Sequence, residues 1–313
     1  MKLLVIMTGG TIGSSFDGES VNVNETASTP VIEQYQKEHT DISFEITAPL
    51  NILSESVEAE DLEMLWQALY DVDFDRYDGV IITCGSDTLA YLSSFVGLLF
   101  AHRPIALVCA NKILTAEDSN GYENFSAAVG ILRQGMREVF VPYRNSDGVM
   151  YIHLATELRE ADYKDDFQSL YTPYAIFDGG IRENTSPLCH DFPEGIFDEE
   201  HPLKLKEKVA VISPYPLLDY DTVDITSSKA VLHLSYHSGT LNADKAKRLM
   251  EKAGNKPVFL APIKKNAKPY KTTSDMICAG MIPLFDISPE CAYMKLTLAV
   301  NQQKMSVDKI MGC

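Results

Sequence analysis

The chain has 313 residues, 45% of them hydrophobic and 23% charged, a composition that supports a full-sized core and excludes a disordered or fibrous protein. Lys plus Arg number 27 against 44 for Asp plus Glu, and the net charge of -17 opposes the phosphate neutralisation that nucleic acids and anionic membranes require. The length exceeds what one core usually serves, so two domains are expected.

Apolar runs rich in β-branched residues predict strands at Lys2 to Met7, Gly79 to Cys84, Ile105 to Ala110 and Glu138 to Pro142. Between them, Ala59 to Val72 places Leu62, Leu65, Trp66, Leu69 and Tyr70 at spacings of three and four, the period of a helix resting on a sheet. Leu89 to Ala101 is apolar nearly all round, which predicts a deeply buried helix. Strand-helix alternation of this kind implies a parallel sheet covered on both faces. Around Pro193 and Pro202 the periodicity stops among acidic residues, and a linker over 189–206 is expected. It separates a larger N-terminal domain, 1–188, from a smaller α/β domain, 207–313. The second domain has strands predicted at Lys208 to Ser213, Ala230 to Ser235 and Lys256 to Ala261. One of its helices starts at Asn242 as cap and ends at Gly254; the last has Ser288 as cap and Pro289 at its first position.

No apolar run reaches the ~18 residues of a membrane span, and the apolar start at Met1 to Met7 is too short for a secretory signal. A soluble cytoplasmic protein is the expectation. The six cysteines, Cys84, Cys109, Cys189, Cys278, Cys291 and Cys313, contain no C-x-x-C pair, so reduced thiols are expected and neither zinc nor another metal is indicated. The basic stretch Lys264-Lys265-Asn266-Ala267-Lys268 reads as a solvated loop in preference to a phosphate site.

In an open parallel sheet, ligands bind at the carboxyl ends of the strands, and two loops there have unusual contents. The first, Thr8-Gly9-Gly10-Thr11-Ile12-Gly13, turns sharply on its glycines and matches neither a dinucleotide fingerprint nor a P-loop. What it offers is a hydroxyl, Thr11, on a tight turn; the plainer alternative is that Thr8 and Thr11 only satisfy turn backbone. The second, Thr83-Cys84-Gly85-Ser86-Asp87-Thr88, leads into the buried helix. There Ser86 or Asp87 is either a helix cap or a ligand group. Two such loops on one sheet put Thr11, Ser86 and Asp87 within reach of one small molecule.

Thr8-Gly9-Gly10-Thr11-Ile12 and Cys84-Gly85-Ser86-Asp87-Thr88-Leu89-Ala90-Tyr91 resemble, in order, the two signatures of the bacterial-type asparaginases and glutaminase-asparaginases. The resemblance runs nearly end to end. Asn51-Ile52-Leu53-Ser54-Glu55-Ser56 is similar to the substrate-carboxylate loop, Ser119-Asn120-Gly121 with Asn124 to S-D-G-x-x-N, and Ile287 to Leu296 to the closing helix. It implies two α/β domains, the smaller one flavodoxin-like, and hydrolysis of a side-chain amide, L-asparagine first and L-glutamine or a related amide as alternatives. No cofactor is implied, and the assembly is a homodimer or homotetramer. Thr11 would be the nucleophile, Ser86 the hydroxyl that positions or activates the attacking group, and Asp87 the partner of the substrate ammonium. Ser54 would hold the α-carboxylate, with Gly10 lining the pocket and Glu55 facing the ammonium.

The match fails in places. Cys84 replaces a histidine and Ser86 a threonine. Glu160 falls where a lysine is expected, which leaves the register, Lys164, Lys112 or a different chemistry as explanations. Asn24 stands where the lid carries a tyrosine, and His237, in Tyr236-His237-Ser238-Gly239-Thr240-Leu241-Asn242, replaces a glycine and reads as a surface loop residue. These departures support a rival expectation, an amino-acid-binding protein with altered or lost turnover. A third, the glutaminase subunit of a transfer-RNA amidotransferase, is weakened at this level because Met1 leads directly into the first strand.

Overall fold

A computed structural model describes residues 1–10, 14–16, 21–23, 29–184, 202–302 and 306–312. The chain divides into two compact units, Met1–Cys189 and His190–Cys313.

The first unit is built on an eight-stranded sheet. In chain order its described elements are β1 (Lys2–Met7), β2 (Ser14–Phe16), β3 (Val21–Val23), α1 (Thr29–Glu38), β4 (Ser43–Thr47), α2 (Ala59–Tyr70), β5 (Gly79–Thr83) and α3 (Leu89–Leu99). They continue with β6 (Ile105–Val108), α4 (Gly121–Arg133), β7 (Val139–Arg144), β8 (Met150–Leu154), β9 (Ala175–Phe177) and β10 (Ile181–Glu183). The strand order is β10-β9-β8-β7-β6-β5-β1-β4, with β2 and β3 forming a separate antiparallel pair. From β4 to β7 every pairing is parallel, while β7-β8, β8-β9 and β9-β10 are antiparallel. The expected parallel sheet is therefore present with an antiparallel edge.

Leu3, Val5 and Ile6 of β1 and Val80, Ile81 and Ile82 of β5 have no exposed surface. Unbroken apolar runs suit strands covered on both faces. On one face, Val5, Ile81, Ala106 and Val108 pack with Tyr35, Phe125, Val129 and Leu132 of α1 and α4. Beside the antiparallel edge, Ile131, Phe140, Ile152 and Ala175 form a smaller cluster. Helix α2 opens with a reciprocal cap, Glu58 N donating to Asp61 Oδ2 at 2.9 Å while the Glu58 side chain accepts from the Asp61 backbone amide. Helix α3, apolar on almost every side, is buried from Leu89 to Leu98 except at Tyr91.

The second unit has a four-stranded sheet, β11 (Lys208–Ile212), β12 (Ser228–Leu234), β13 (Val258–Ile263) and β14 (Ile282–Phe285), paired in that order and all parallel. The order is sequential, without the strand reversal of a flavodoxin. Its helices are α5 (Ala243–Ala253), α6 (Lys271–Cys278), α7 (Pro289–Asn301) and α8 (Val307–Met311). The Asn242 side chain accepts from Lys245 N, and Gly254 ends α5 at φ +59°, as the sequence predicts. Ser288 accepts from Cys291 N with Pro289 in the first turn of α7. Leu249 and Ala246 of α5 meet Val231 and Leu260 in the core.

Among the described residues no helix is long and apolar enough to cross a membrane. Among them, too, no group of three His, Cys, Asp or Glu could hold a metal ion. Residues 264–268 are exposed, and so is His237. Most of the expected linker, together with Asn24, lies outside the described residues.

Candidate active site

The site is assembled from three segments that follow β1, β4 and β5. Beyond β1, Thr8 N donates to Thr83 O at 3.0 Å and Thr8 Oγ1 donates to the same carbonyl at 2.9 Å. Thr8 thus satisfies backbone, the plainer of its two sequence alternatives. Ile52 N donates to Thr8 O at 3.1 Å, and Gly9 bridges Ile52 in parallel, so the chain after β4 is stitched to the first turn.

Glycines allow these segments to touch. Gly10 sits at φ +89°, and a β-carbon there would lie 2.3 Å from Gly85 N and 2.5 Å from Cys84 O. Gly85 in turn faces Ser54, whose Cβ would lie 2.4 Å from a β-carbon on residue 85. Backbone therefore packs on backbone from the first loop to the second, and the second loop packs on the serine of the third.

That serine carries the polar connection. Ser54 opens a 3-10 turn, Ser54–Ser56, and is buried at 9% exposure. Its Oγ donates to Asp87 Oδ2 at 2.9 Å, and Thr88 Oγ1 donates to Ser54 O at 3.0 Å. Thr88 is the N-cap residue of α3, yet no side-chain cap bond forms there. The hydroxyl that could cap the helix fixes the Ser54 turn, a role with no local signal among its neighbours in the chain. Asp87 is exposed, Ser86 is half-buried with its carbonyl accepting Leu89 N at 3.2 Å, and Glu55 is exposed beside Ser54. Of the sequence-predicted site residues, Gly10, Ser54, Glu55, Ser86 and Asp87 are thereby brought together; Thr11 lies outside the described residues.

Buried asparagines brace the neighbouring strand ends. Asn124 Nδ2 donates to Cys109 O at 3.0 Å while Arg144 N donates to Asn124 Oδ1 at 2.9 Å, which ties the end of β6 to the end of β7. Asn111 and Asn120 exchange backbone-to-side-chain bonds at 2.9 and 3.0 Å, and Asn120 Nδ2 reaches Arg144 O at 2.9 Å.

The segment after β8 folds back on itself, with Arg159 N donating to Gln168 O at 2.9 Å and Leu170 N to Glu157 O at 2.8 Å. Ser93 Oγ of α3 donates to Ala155 O at 3.0 Å. Glu160, expected at the lysine position, is exposed; the buried acid of this segment is Glu157, 2% exposed. Burial pushes its carboxyl up to about 7. His153, without exposed surface, shares a 2.9 Å hydrogen bond between Nδ1 and Ser169 Oγ, and burial pulls it down to about 3. Lys112 pairs with Asp118, and Lys164 is exposed.

Residues 2–184 match the family model for the N-terminal domain of asparaginases, and the chain belongs to the asparaginase family. It is 25% identical over 315 residues to a glutamyl-tRNA(Gln) amidotransferase subunit of Thermoplasma acidophilum, covering 96% of this chain and 76% of that protein. It is 31% identical over 145 residues to the L-asparaginase of Thermococcus kodakarensis, covering 46% and 44% of the two chains. Among solved structures, the thermostable L-asparaginase of Thermococcus kodakarensis superposes with a TM-score of 0.80 at 23% identity over 99% of this chain and 97% of that one. L-asparaginase I of Vibrio cholerae superposes with a TM-score of 0.77 at 21% identity over 99% and 96%. At such identities the structural likeness establishes the fold.

Proposed function

We propose that the protein hydrolyses the side-chain amide of L-asparagine, with L-glutamine or a related small amide as alternative substrate, through an acyl-enzyme on Thr11. Thr11 Oγ forms a bond to the amide carbon, the C–N bond breaks, and ammonia leaves with the proton; water then frees the acid. A threonine hydroxyl needs a base near neutral pH, and the oxyanion needs fixed donors. Ser86 positions or activates the attacking group, and the backbone amides of the Gly9-Gly10 turn serve the oxyanion. Asp87 takes the substrate ammonium, Ser54 its α-carboxylate, and Glu55 stands beside the ammonium. The reaction needs no cofactor, and the working form is a cytoplasmic homodimer or homotetramer.

The observation that supports this reading is the continuous contact from Gly10 through Gly85 to Ser54 and Asp87, which gathers four of the proposed site's segments and side chains around the end of the first turn. Ammonia release from L-asparagine and L-glutamine by the purified chain tests it, with Thr11→Ala as control. Turnover that disappears in the variant supports the assignment; equal turnover in both removes Thr11 from the mechanism. Calorimetric binding of aspartate with no turnover of either amide points instead to an amino-acid-binding protein.

The near full-length similarity to an amidotransferase component favours one further reading, a glutaminase subunit working with a protein partner. Under it, L-glutamine is the preferred substrate and turnover rises when a synthetase-like partner is added.

A further inference from the structure

We infer that Cys84 and Cys109 form a buried dithiol beside Asp87 that captures a trivalent arsenical and, in doing so, closes the candidate site.

Register carries the pairing. Strands β5 and β6 run parallel with Val80 opposite Ile105, Ile81 opposite Ala106, Ile82 opposite Leu107 and Thr83 opposite Val108. One residue further, Cys84 meets Cys109. The ladder continues that far, because Cys84 N donates to Val108 O at 3.0 Å, repeating the bond from Val80 N to Pro104 O at 2.9 Å at the start of the pair. Opposite residues on paired strands project to the same face, and neighbouring strands are about 4.8 Å apart. Ile81, Ala106 and Val108 point into the α1 and α4 cluster, so the alternation of side chains sends both thiols to the other face of the sheet. The two cysteines are 2% and 1% exposed, and both are free thiols. Burial first, and then the neighbouring Cys84 thiol and Asp87 carboxylate, push the Cys109 thiol well above its ordinary value.

The chemistry follows from burial. Desolvation lifts the Cys84 thiol to about 12, so both sulfurs stay protonated near neutral pH. Peroxides and alkylating agents need a thiolate and react slowly here. A trivalent arsenical such as phenylarsine oxide, hydrated to its dihydroxide, condenses with neutral thiols instead. Two As–S bonds form, two As–O bonds break, each thiol proton leaves with a hydroxide as water, and arsenic keeps its oxidation state. One arsenic atom needs two sulfurs, which the adjacent strand ends supply.

Closure follows from packing. The Cys84–Gly85 peptide lies against Gly10 on one side, and Gly85 lies against Ser54 on the other, with no room for a single added β-carbon. An arsenic atom bridged beneath Cys84 displaces that peptide and separates Ser54 from Asp87. Closure of the site rests on the proposed amino-acid binding, whereas the capture does not.

The test uses the full-length reduced protein and stoichiometric phenylarsine oxide, read by intact mass and peptide mapping. One adduct bridging the Cys84 and Cys109 peptides is expected, released by a small dithiol, absent from Cys84→Ser and from Cys109→Ser, and retained in Cys278→Ser. An adduct on other cysteines of the wild-type chain, or none, overturns the inference whether or not the serine variants fold. Aspartate at about ten times its dissociation constant slows capture roughly tenfold by mass action if the dithiol and the ligand site are coupled. An unchanged rate in the presence of bound aspartate overturns closure of the site. The adduct mapping needs neither bound aspartate nor turnover, so failure of the chain to bind aspartate overturns closure of the site and failure to hydrolyse asparagine leaves the capture standing.

Discussion

Ser54 Oγ donates to Asp87 Oδ2 across 2.9 Å, joining the loop after β4 to the loop after β5. A hydrogen bond to a charged group contributes about 1.5–3 kcal/mol, and in the proposed reaction it would also hold the carboxylate for an incoming ammonium. Ser54→Ala is expected to raise KM for the amide by roughly ten- to a hundredfold with a smaller change in kcat, the pattern of lost ground-state binding. Steady-state kinetics decide it; an unchanged KM removes Ser54 from the cradle.

Two glycine substitutions separate fold from site. Gly10→Ala combines a backbone at φ +89° with a β-carbon 2.3 Å from Gly85 N, and it is expected to cost more than about 3 kcal/mol. Gly135, at φ +72° with nothing within 4 Å, isolates the strain of the backbone alone, so Gly135→Ala should cost only about 1–2 kcal/mol. Urea unfolding of the two variants gives the difference. Equal losses would show that the contact between the two loops adds nothing.

Asn124→Ala leaves a buried carbonyl at Cys109 and a half-buried amide at Arg144 without their side-chain partners. Each unsatisfied group costs about 1–3 kcal/mol, so the expected loss is roughly 2–5 kcal/mol, against a much smaller loss for exposed Asn51→Ala. Thermal melts of the two variants measure this directly.

Glu157 and His153 give stability opposite pH dependences. Burial raises Glu157 from 4.5 to about 7, so its contribution is full below pH 4.5 and is lost as the pH climbs to 7, a change of about 3 kcal/mol. Burial lowers His153 from 6.5 to about 3, so its contribution is full above pH 6.5 and is lost as the pH falls to 3, on the order of 5 kcal/mol. Between pH 4.5 and 6.5 the two slopes cancel. Glu157→Gln removes one of them, and the stability of the variant relative to wild type is expected to rise by about 3 kcal/mol across that window. Urea titrations at both ends suffice; parallel profiles would mean that Glu157 ionises as it does in the unfolded chain.

Elements whose signal is local were legible in the sequence. β1, β5, β6 and β11 announce themselves as short apolar runs, α2 by its spacing, and α5 and α7 by their caps at Asn242 and Ser288. The antiparallel edge was not legible, because Met150–Leu154 and Ala175–Phe177 are short and their direction is set by the strand they join. The same limit applied to the acids after β8: the family resemblance put Glu160 at the lysine position, but the fold-back pairing of Glu157 with Leu170 decides which carboxyl is buried.

By itself the sequence determined the two glycine-bearing loops, their order, and the hydroxyl and carboxylate side chains they present, since turn chemistry and capping depend on neighbours a few residues apart. Only the tertiary structure decided that Gly10 rests on Gly85, that Gly85 makes room for Ser54, and that Thr88 gives up its cap to hold the Ser54 turn. Those relationships span 31 to 75 positions of chain (Ser54 to Gly85, Gly10 to Gly85) and exist only because parallel pairing of β1 with β4 and β5 brings three strand ends to one place.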